Sequence, residues 1–272
     1  LVVLPVDRKG AVDLKKLEAA LDERTVLVSV MYVNNELGTI QPISEIAEII
    51  RRHKFPASGY PLFHTDAAQA FLYYPCDVKA LGVDLMTLSS QKIYGPKGAG
   101  ALVGRIDTVR PLVTGGGQEF GFRAGTENIP AIAGFAAAAE IAERERTKNV
   151  KHAVQVRNAF VAELVKAFPG VEENLPAGRQ APHIANLAFP RGISSEDLLV
   201  LFDREGIAAS PGAACSARAL TLSHVLKAVG VPDERIRRSI RFSFGRGVTN
   251  AGARAAARAV AEAARYIFKE KS

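Results

Sequence analysis

Short apolar runs alternate with amphipathic stretches through the first half of the chain. Thr25 to Val33 is a β-branched, apolar run of the kind that forms a buried parallel strand. Similar runs start near Leu62 and at Val83, the second reading Val83-Asp84-Leu85-Met86-Thr87-Leu88. Between them the period changes. Asp13 to Leu21 places Leu14, Leu17 and Leu21 on one helical face, and a second helix is expected from Ser44 to about His53. Leu1 to Val6 reads as a further strand. Strands alternating with helices predict a parallel sheet joined by crossover helices.

Later the rhythm shifts. A long Ala-rich helix is expected from Glu127 to about Arg146, beginning at Thr126, with a second over 148–168. The charged run from Glu143 to Lys151 lies where they meet and reads as a solvated helix face. A strand at Ile184–Phe189, a helix at Ser194–Glu205, a short strand at Ile207–Ala209, a helix at Leu222–Val229, a strand at Ser239–Phe244 and an Ala/Arg-rich last helix then follow. The expected fold class is α/β: a large domain over 1–146 with a parallel-rich sheet, and a smaller α+β domain over 147–272.

Composition narrows the picture a little. At 272 residues, 48% hydrophobic and 23% charged, the chain suits one large or two moderate globular domains with a substantial core. There is no apolar run of about 18 residues, so no membrane span is expected. Cys76 and Cys215 are the two cysteines, which argues against a disulfide framework and for a reducing, cytoplasmic setting. The net charge of +7 favours anionic ligands or acidic partners, but the basic residues are scattered and no nucleic-acid motif is present.

Candidate chemistry gathers at the ends of the predicted strands. Ser89-Ser90-Gln91-Lys92-Ile93-Tyr94-Gly95-Pro96-Lys97-Gly98 follows one strand and ends in a Gly/Pro turn. A lysine there either snorkels to water or acts as an amine, above all toward the aldehyde of pyridoxal phosphate. Asp66 ends the preceding strand, on the side where parallel α/β sheets bind ligands. It either caps the next helix or pairs with a protonated pyridine nitrogen. Asn34 and Asn35 close an earlier strand, as turn residues or amide donors. Ser89 and Thr126 are hydroxyls suited to a phosphate, Thr126 also to N-capping. Cys215 lies among small and turn-forming residues with Arg218 nearby, the setting of an accessible thiolate, while Cys76 reads as structural. Arg123, in a Gly-rich loop over 115–125, is an anion clamp or an interface arginine.

Four motifs in series carry a resemblance. His64-Thr65-Asp66-Ala67-Ala68-Gln69, the lysine motif, Gly115 to Asn128, and Ser210-Pro211-Gly212-Ala213-Ala214-Cys215-Ser216-Ala217 look like those of the cysteine desulfurases, pyridoxal phosphate enzymes of class V aminotransferase-like fold (fold type I). The match covers nearly the whole chain and resembles the housekeeping branch. The resemblance implies that Lys92 and Cys215 are catalytic. It implies that Asn35, Asp66, Gln69, Ser89, Gln91, Lys92 and Thr126 hold the cofactor, and that Asn35 and Arg241 hold the substrate. Gln91 stands where the family usually carries His, so it can donate to phosphate but not shuttle a proton. No resident metal is implied, though Cys215 is a candidate ligand for a transferred iron–sulfur cluster.

The same resemblance implies L-cysteine as substrate, with Lys92 taking the Cα proton and Cys215 attacking the substrate sulfur to hold it as a persulfide. It implies a homodimer in which Thr126 reaches the neighbouring subunit's cofactor. It also implies delivery of sulfur to an iron–sulfur scaffold or to tRNA-thiolating proteins, with no direct nucleic-acid or membrane contact. Against the family the chain reads as N-terminally truncated, lacking a segment that supplies part of the phosphate cradle and a ring that stacks on the cofactor. Two other readings stay open: another fold type I enzyme, such as a transaminase or selenocysteine lyase, and a folded remnant without turnover.

Overall fold

The computed structural model describes residues 1–55, 59–175, 180–212 and 222–270. The first part is built as the alternating pattern requires. Helix α1 (Leu14–Ala20) is capped by Asp13, whose carboxylate accepts from the N–H groups of Lys15 and Lys16. Strand β1 (Leu27–Met31), helix α2 (Ile43–Arg52), strand β2 (Leu62–Asp66), helix α3 (Val78–Leu81) and strand β3 (Leu85–Ser89) follow. Strand β4 (Gly100–Gly104) completes a sheet of order β1-β2-β3-β4. β1–β2 and β2–β3 are parallel, and β4 returns antiparallel to β3. Helix α2 turns Ile43, Ile46, Ala47, Ile49 and Ile50 onto one face of this sheet, against Val28, Val30, Phe63 and Met86. Asp84 ties the entry of β3 to its surroundings: both carboxylate oxygens lie 3.0 Å from Lys54 Nζ, and one accepts from the Phe63 N–H at 2.8 Å.

The second part holds helices α4 (Ile129–Arg144) and α5 (Arg146–Ala167), then strands β5 (Glu172–Glu173) and β6 (Ile184–Ala188). Helices α6 (Ser195–Arg204), α7 (His224–Ala228) and α8 (Asp233–Ile236), strand β7 (Ser239–Ser243) and helix α9 (Asn250–Glu270) complete it. The sheet β5-β6-β7 is antiparallel throughout. Its core is aromatic, with Phe160 at 4.8 Å from Phe242 and 5.3 Å from Phe244 between ring centroids, and Phe189 and Phe202 fully buried beside them.

Several expectations needed correction. Leu1 to Val6 forms no strand. Val6 bridges to Val12, and Leu1, Val2 and Val3 stand exposed with no strand partner among the described residues. β1 is parallel and lies at the sheet edge, but burial alternates because one of its faces is uncovered, and Leu27 and Met31 remain 50% and 41% exposed. Residues 207–209 form no strand, and the backbone pairing with β7 is a single bridge between Ser210 and Arg241. The long helix starts at Ile129, because Asn128 rather than Thr126 accepts from the Ala131 N–H. β4 carried no sequence signal because glycine bounds it at both ends. Gly104 has φ +119°, and a Cβ there would sit 2.1 Å from the Asp84 carbonyl oxygen.

Truncating Phe202, which is fully buried in the aromatic core, is expected to cost about 3–5 kcal/mol. Urea denaturation of Phe202→Ala should show a lower midpoint with an unchanged slope.

Candidate active site

Parallel pairing puts the ends of β1, β2 and β3 on one edge of the sheet, where ligands of such sheets bind. Asp66 is the last residue of β2, opposite Thr87 of β3, and its side chain is exposed. One of its oxygens accepts from the Ala68 N–H at 2.8 Å, but residues 68–73 form turns rather than the helix it was expected to cap, and the residue stays exposed. Two residues earlier, His64 spans three strands: Nδ1 lies 2.8 Å from Ser29 Oγ and Nε2 lies 2.8 Å from Thr87 Oγ1. Burial holds this imidazole below its ordinary range, opposed by the Asp66 charge.

Beyond β3 the chain tightens into a 3-10 turn over Ser90–Ile93. Lys92 therefore sits past the strand rather than within it, with Gln91 and Lys92 exposed and Ser90 and Ile93 buried. Tyr94 ends the turn with φ +69°, a conformation uncommon for a residue with a side chain. Its hydroxyl accepts from the Arg246 N–H at 2.9 Å, and the Arg246 guanidinium lies 5.1 Å from its ring centroid. Gly95 follows where a Cβ would meet Ser90 Oγ at 2.3 Å, so the turn closes only around a glycine. Ser90 Oγ is buried and has no partner among the described residues.

Residues from the second sheet complete the cluster. Arg241 on β7 donates from Nη1 to the Asn35 carbonyl at 2.9 Å. Asn34 turns inward and accepts from the Glu36 and Leu37 N–H groups, which leaves Asn35 as the more exposed of the pair. His183, just before β6, lies with Nε2 3.1 Å from Gln69 Oε1. Its ring stacks on Tyr73 at 4.2 Å and 9°. Burial, then the Arg241 and Lys92 cations, push the His183 imidazole down to about 3. Parallel pairing thus puts Asp66 and the turn carrying Lys92 at the same end of β2 and β3, Arg241 and His183 reach Asn35 and Gln69 in the loops there, and Ser89 is half-buried at the end of β3. Thr126 lies apart in an exposed stretch, with no hydrogen bond to the cluster among the described residues. Arg123 is exposed in the same stretch. Cys215 and Arg218 lie outside the described residues. Burial raises the Cys76 thiol to about 12, in keeping with a structural role.

His183, Tyr73 and Glu36 carried no motif that would have flagged them. Glu36 is 1% exposed and accepts from Ser223 Oγ at 2.5 Å. Its backbone carbonyl accepts from Asn186 Nδ2 at 3.3 Å. Among the described residues there is no group of three or more His, Cys, Asp or Glu able to hold a metal ion. No described helix is long and apolar enough to cross a membrane.

The donor set fits pyridoxal phosphate: an exposed amine and an exposed carboxylate on one sheet edge, an amide beside them, and a buried unpartnered hydroxyl at Ser90. The family model of aminotransferase class V matches residues 1–255. Cysteine desulfurase IscS of Dictyoglomus turgidum is 42% identical over 243 residues, covering 89% of this chain and 60% of its own length. The putative cysteine desulfurase IscS 1 of Bacillus subtilis is 42% identical over 97% of this chain and 68% of its own. The human cysteine desulfurase is 41% identical over 90% of this chain and 52% of its own. Among solved structures, a NifS-like protein is similar with TM-score 0.87 at 34% identity, covering 97% of this chain and 68% of that one. One from Rickettsia africae gives 0.85 at 32% identity, over 98% and 69%. The chain spans between 52% and 68% of the length of these curated relatives.

The buried His183 predicts a pH dependence. Unfolding frees the imidazole to bind a proton below its ordinary value of about 6.5. The unfolded chain then holds more protons than the folded one, so stability falls as pH drops from there toward the folded value of about 3. Urea melts between about pH 7 and 4.5 should lose stability more steeply in the unmodified chain than in His183→Phe, by up to about 1.4 kcal/mol per pH unit.

Proposed function

We propose a function from one premise: the chain belongs to the aminotransferase class V family, and within it to the cysteine desulfurases. That family depends on pyridoxal phosphate. The reading is that this chain takes sulfur from L-cysteine, releases L-alanine and holds the sulfur as a persulfide on Cys215. What supports it is topology: Asp66 ends β2, the turn carrying Lys92 follows β3 at the same end of this parallel pair, and Arg241 and His183 reach Asn35 and Gln69.

Each residue then has a physical task. When bound, pyridoxal phosphate supplies a ring that accepts the electron pair released at the substrate Cα. Lys92 would hold the cofactor through its amine and, once that amine is free, would take the substrate Cα proton onto Nζ. Asp66 keeps the pyridine nitrogen protonated, the role for which its open carboxylate suits it. Gln69 and Asn35 offer amides to the ring oxygen. Ser89 and Gln91 donate to the phosphate without adding charge, Gln91 without shuttling protons. Arg241 pairs with the substrate carboxylate, a planar fork meeting a planar acid. Its link to the Asn35 carbonyl holds it at the mouth of β1. A Cys215 thiolate attacks the substrate sulfur; the new S–S bond forms as the Cβ–S bond breaks, and alanine departs. Cys215 is also the candidate ligand for a transferred iron–sulfur cluster.

A homodimer is part of the same proposal. Helix α4 is apolar but buries only Ala131, Ala138 and Ala142 among its residues. Leu112 and Phe120, just before it, are 98% and 94% exposed. Exposed apolar surface of this kind fits contact with a second copy, and the exposed Thr126, between Phe120 and α4 in the chain, would then serve the neighbouring site. The proposed boundary between large and small domains, at 146–147, falls where α4 gives way to α5. The proposed setting is the cytoplasm, with an iron–sulfur scaffold or another sulfur acceptor as partner.

An absorbance scan after adding pyridoxal phosphate tests the site. A visible Schiff-base band is expected, and Lys92→Ala should abolish it and lower alanine release by about 10²- to 10⁴-fold. Cys215→Ala should keep the band and lose sulfide release from cysteine, which a transaminase would not. A chain that gives no band is a remnant without this function.

A further inference from the structure

We propose that His183 is a positioning residue that aims the Gln69 amide at the cofactor. The proposal deepens the reading above and rests on it, since it takes Gln69 to touch the ring oxygen.

An amide side chain has two ends of opposite character, a carbonyl that accepts and an NH2 that donates. A cofactor oxygen needs the NH2 end. Gln69 follows β2 on a turn that does not itself fix which end faces outward. His183 does. Its Nε2 lies 3.1 Å from Gln69 Oε1, so the ring donates to the carbonyl and the amide's NH2 points away from it. That donation requires the hydrogen on Nε2, which leaves Nδ1 as a bare lone pair; Nδ1 is buried and has no partner among the described residues. The ring itself cannot turn freely. It is 7% exposed and lies flat on Tyr73, itself 7% exposed, at 4.2 Å and 9°. The neighbouring Arg241 and Lys92 cations disfavour a second proton on the ring, so it stays a neutral donor of one polarity. His183 is 114 residues from Gln69 and immediately precedes β6, which pairs with the strand that carries Arg241. The small sheet therefore orients a residue of the large one.

Two measurements test this. In the unmodified, cofactor-free chain at neutral pH, ¹⁵N spectra of labelled histidine should show His183 as the neutral Nε2–H form, assigned by its disappearance in His183→Phe. An Nδ1–H or doubly protonated ring overturns the proposal. The second measurement is pyridoxal phosphate affinity by absorbance titration. Phenylalanine keeps the stack on Tyr73 but removes the donor, so His183→Phe should weaken binding by roughly 5- to 10-fold, about one net hydrogen bond. If His183 acts through Gln69, the double variant with Gln69→Ala binds no more weakly than Gln69→Ala alone. Losses that multiply, or an unchanged affinity in His183→Phe, overturn it. A chain that gives no Schiff-base band overturns the reading of Gln69 and the role of His183 with it; a normal band with unchanged affinity in His183→Phe overturns His183 alone.

Discussion

Parallel hydrogen bonding between β2 and β3 is the constraint on which the site depends. Asp66 pairs in register with Thr87, and the Ala67 N–H donates to the Thr87 carbonyl at 2.9 Å. Both strands therefore end at one edge, and the chain must leave each of them on the same side. The 3-10 turn after β3 then carries Lys92 at the same end of the pair as Asp66, both exposed. That turn is held in an uncommon backbone conformation at Tyr94 by the Arg246 contacts and by the space that Gly95 leaves for Ser90. An antiparallel pair would have sent the two groups to opposite ends of the sheet.

The second sheet does more than sit alongside. Its residues reach into the loops after the first sheet's strands at several points: Arg241 to Asn35, His183 to Gln69, and Asn186 to the carbonyl of Glu36. Arg157 on α5 anchors the entry to β6 by donating to the Ile184 carbonyl at 3.0 Å, and it also contacts Glu173 and Gln180. These are buried or half-buried polar contacts in a region of low dielectric, where a satisfied network holds its members in one arrangement and a broken one is costly. The geometry at the edge of the first sheet is thus set partly by the aromatic core of the second, which fixes β6 and β7 and so the positions of His183 and Arg241.

Much of this was legible in the chain itself. Period-2 and continuous apolar runs located β2, β3, β6 and β7, and helical spacing located α1, α2, α5 and α9, because burial imposes those periods directly on the residues. The strand-end positions of Asp66 and Lys92 followed from the same runs. Other features were not legible. β4 is a strand that glycines bound, and its pairing is supplied by β3 rather than by its own propensity. β1 reads as a buried strand, yet three of its five residues stay exposed because only one face of the strand is covered. The Ile207–Ala209 run has strand character, but the backbone pairing with β7 is the single Ser210 bridge.

Local order therefore came from the chain: which segments are helices or strands, and which reactive side chains stand at their ends. Those depend on interactions between near neighbours, which a linear pattern records. Tertiary structure decided who faces whom. His183 meets Gln69 across 114 residues of chain, and Arg241 meets Asn35 across 206. Such pairings are set by how two separately formed cores pack, and no local periodicity carries that information.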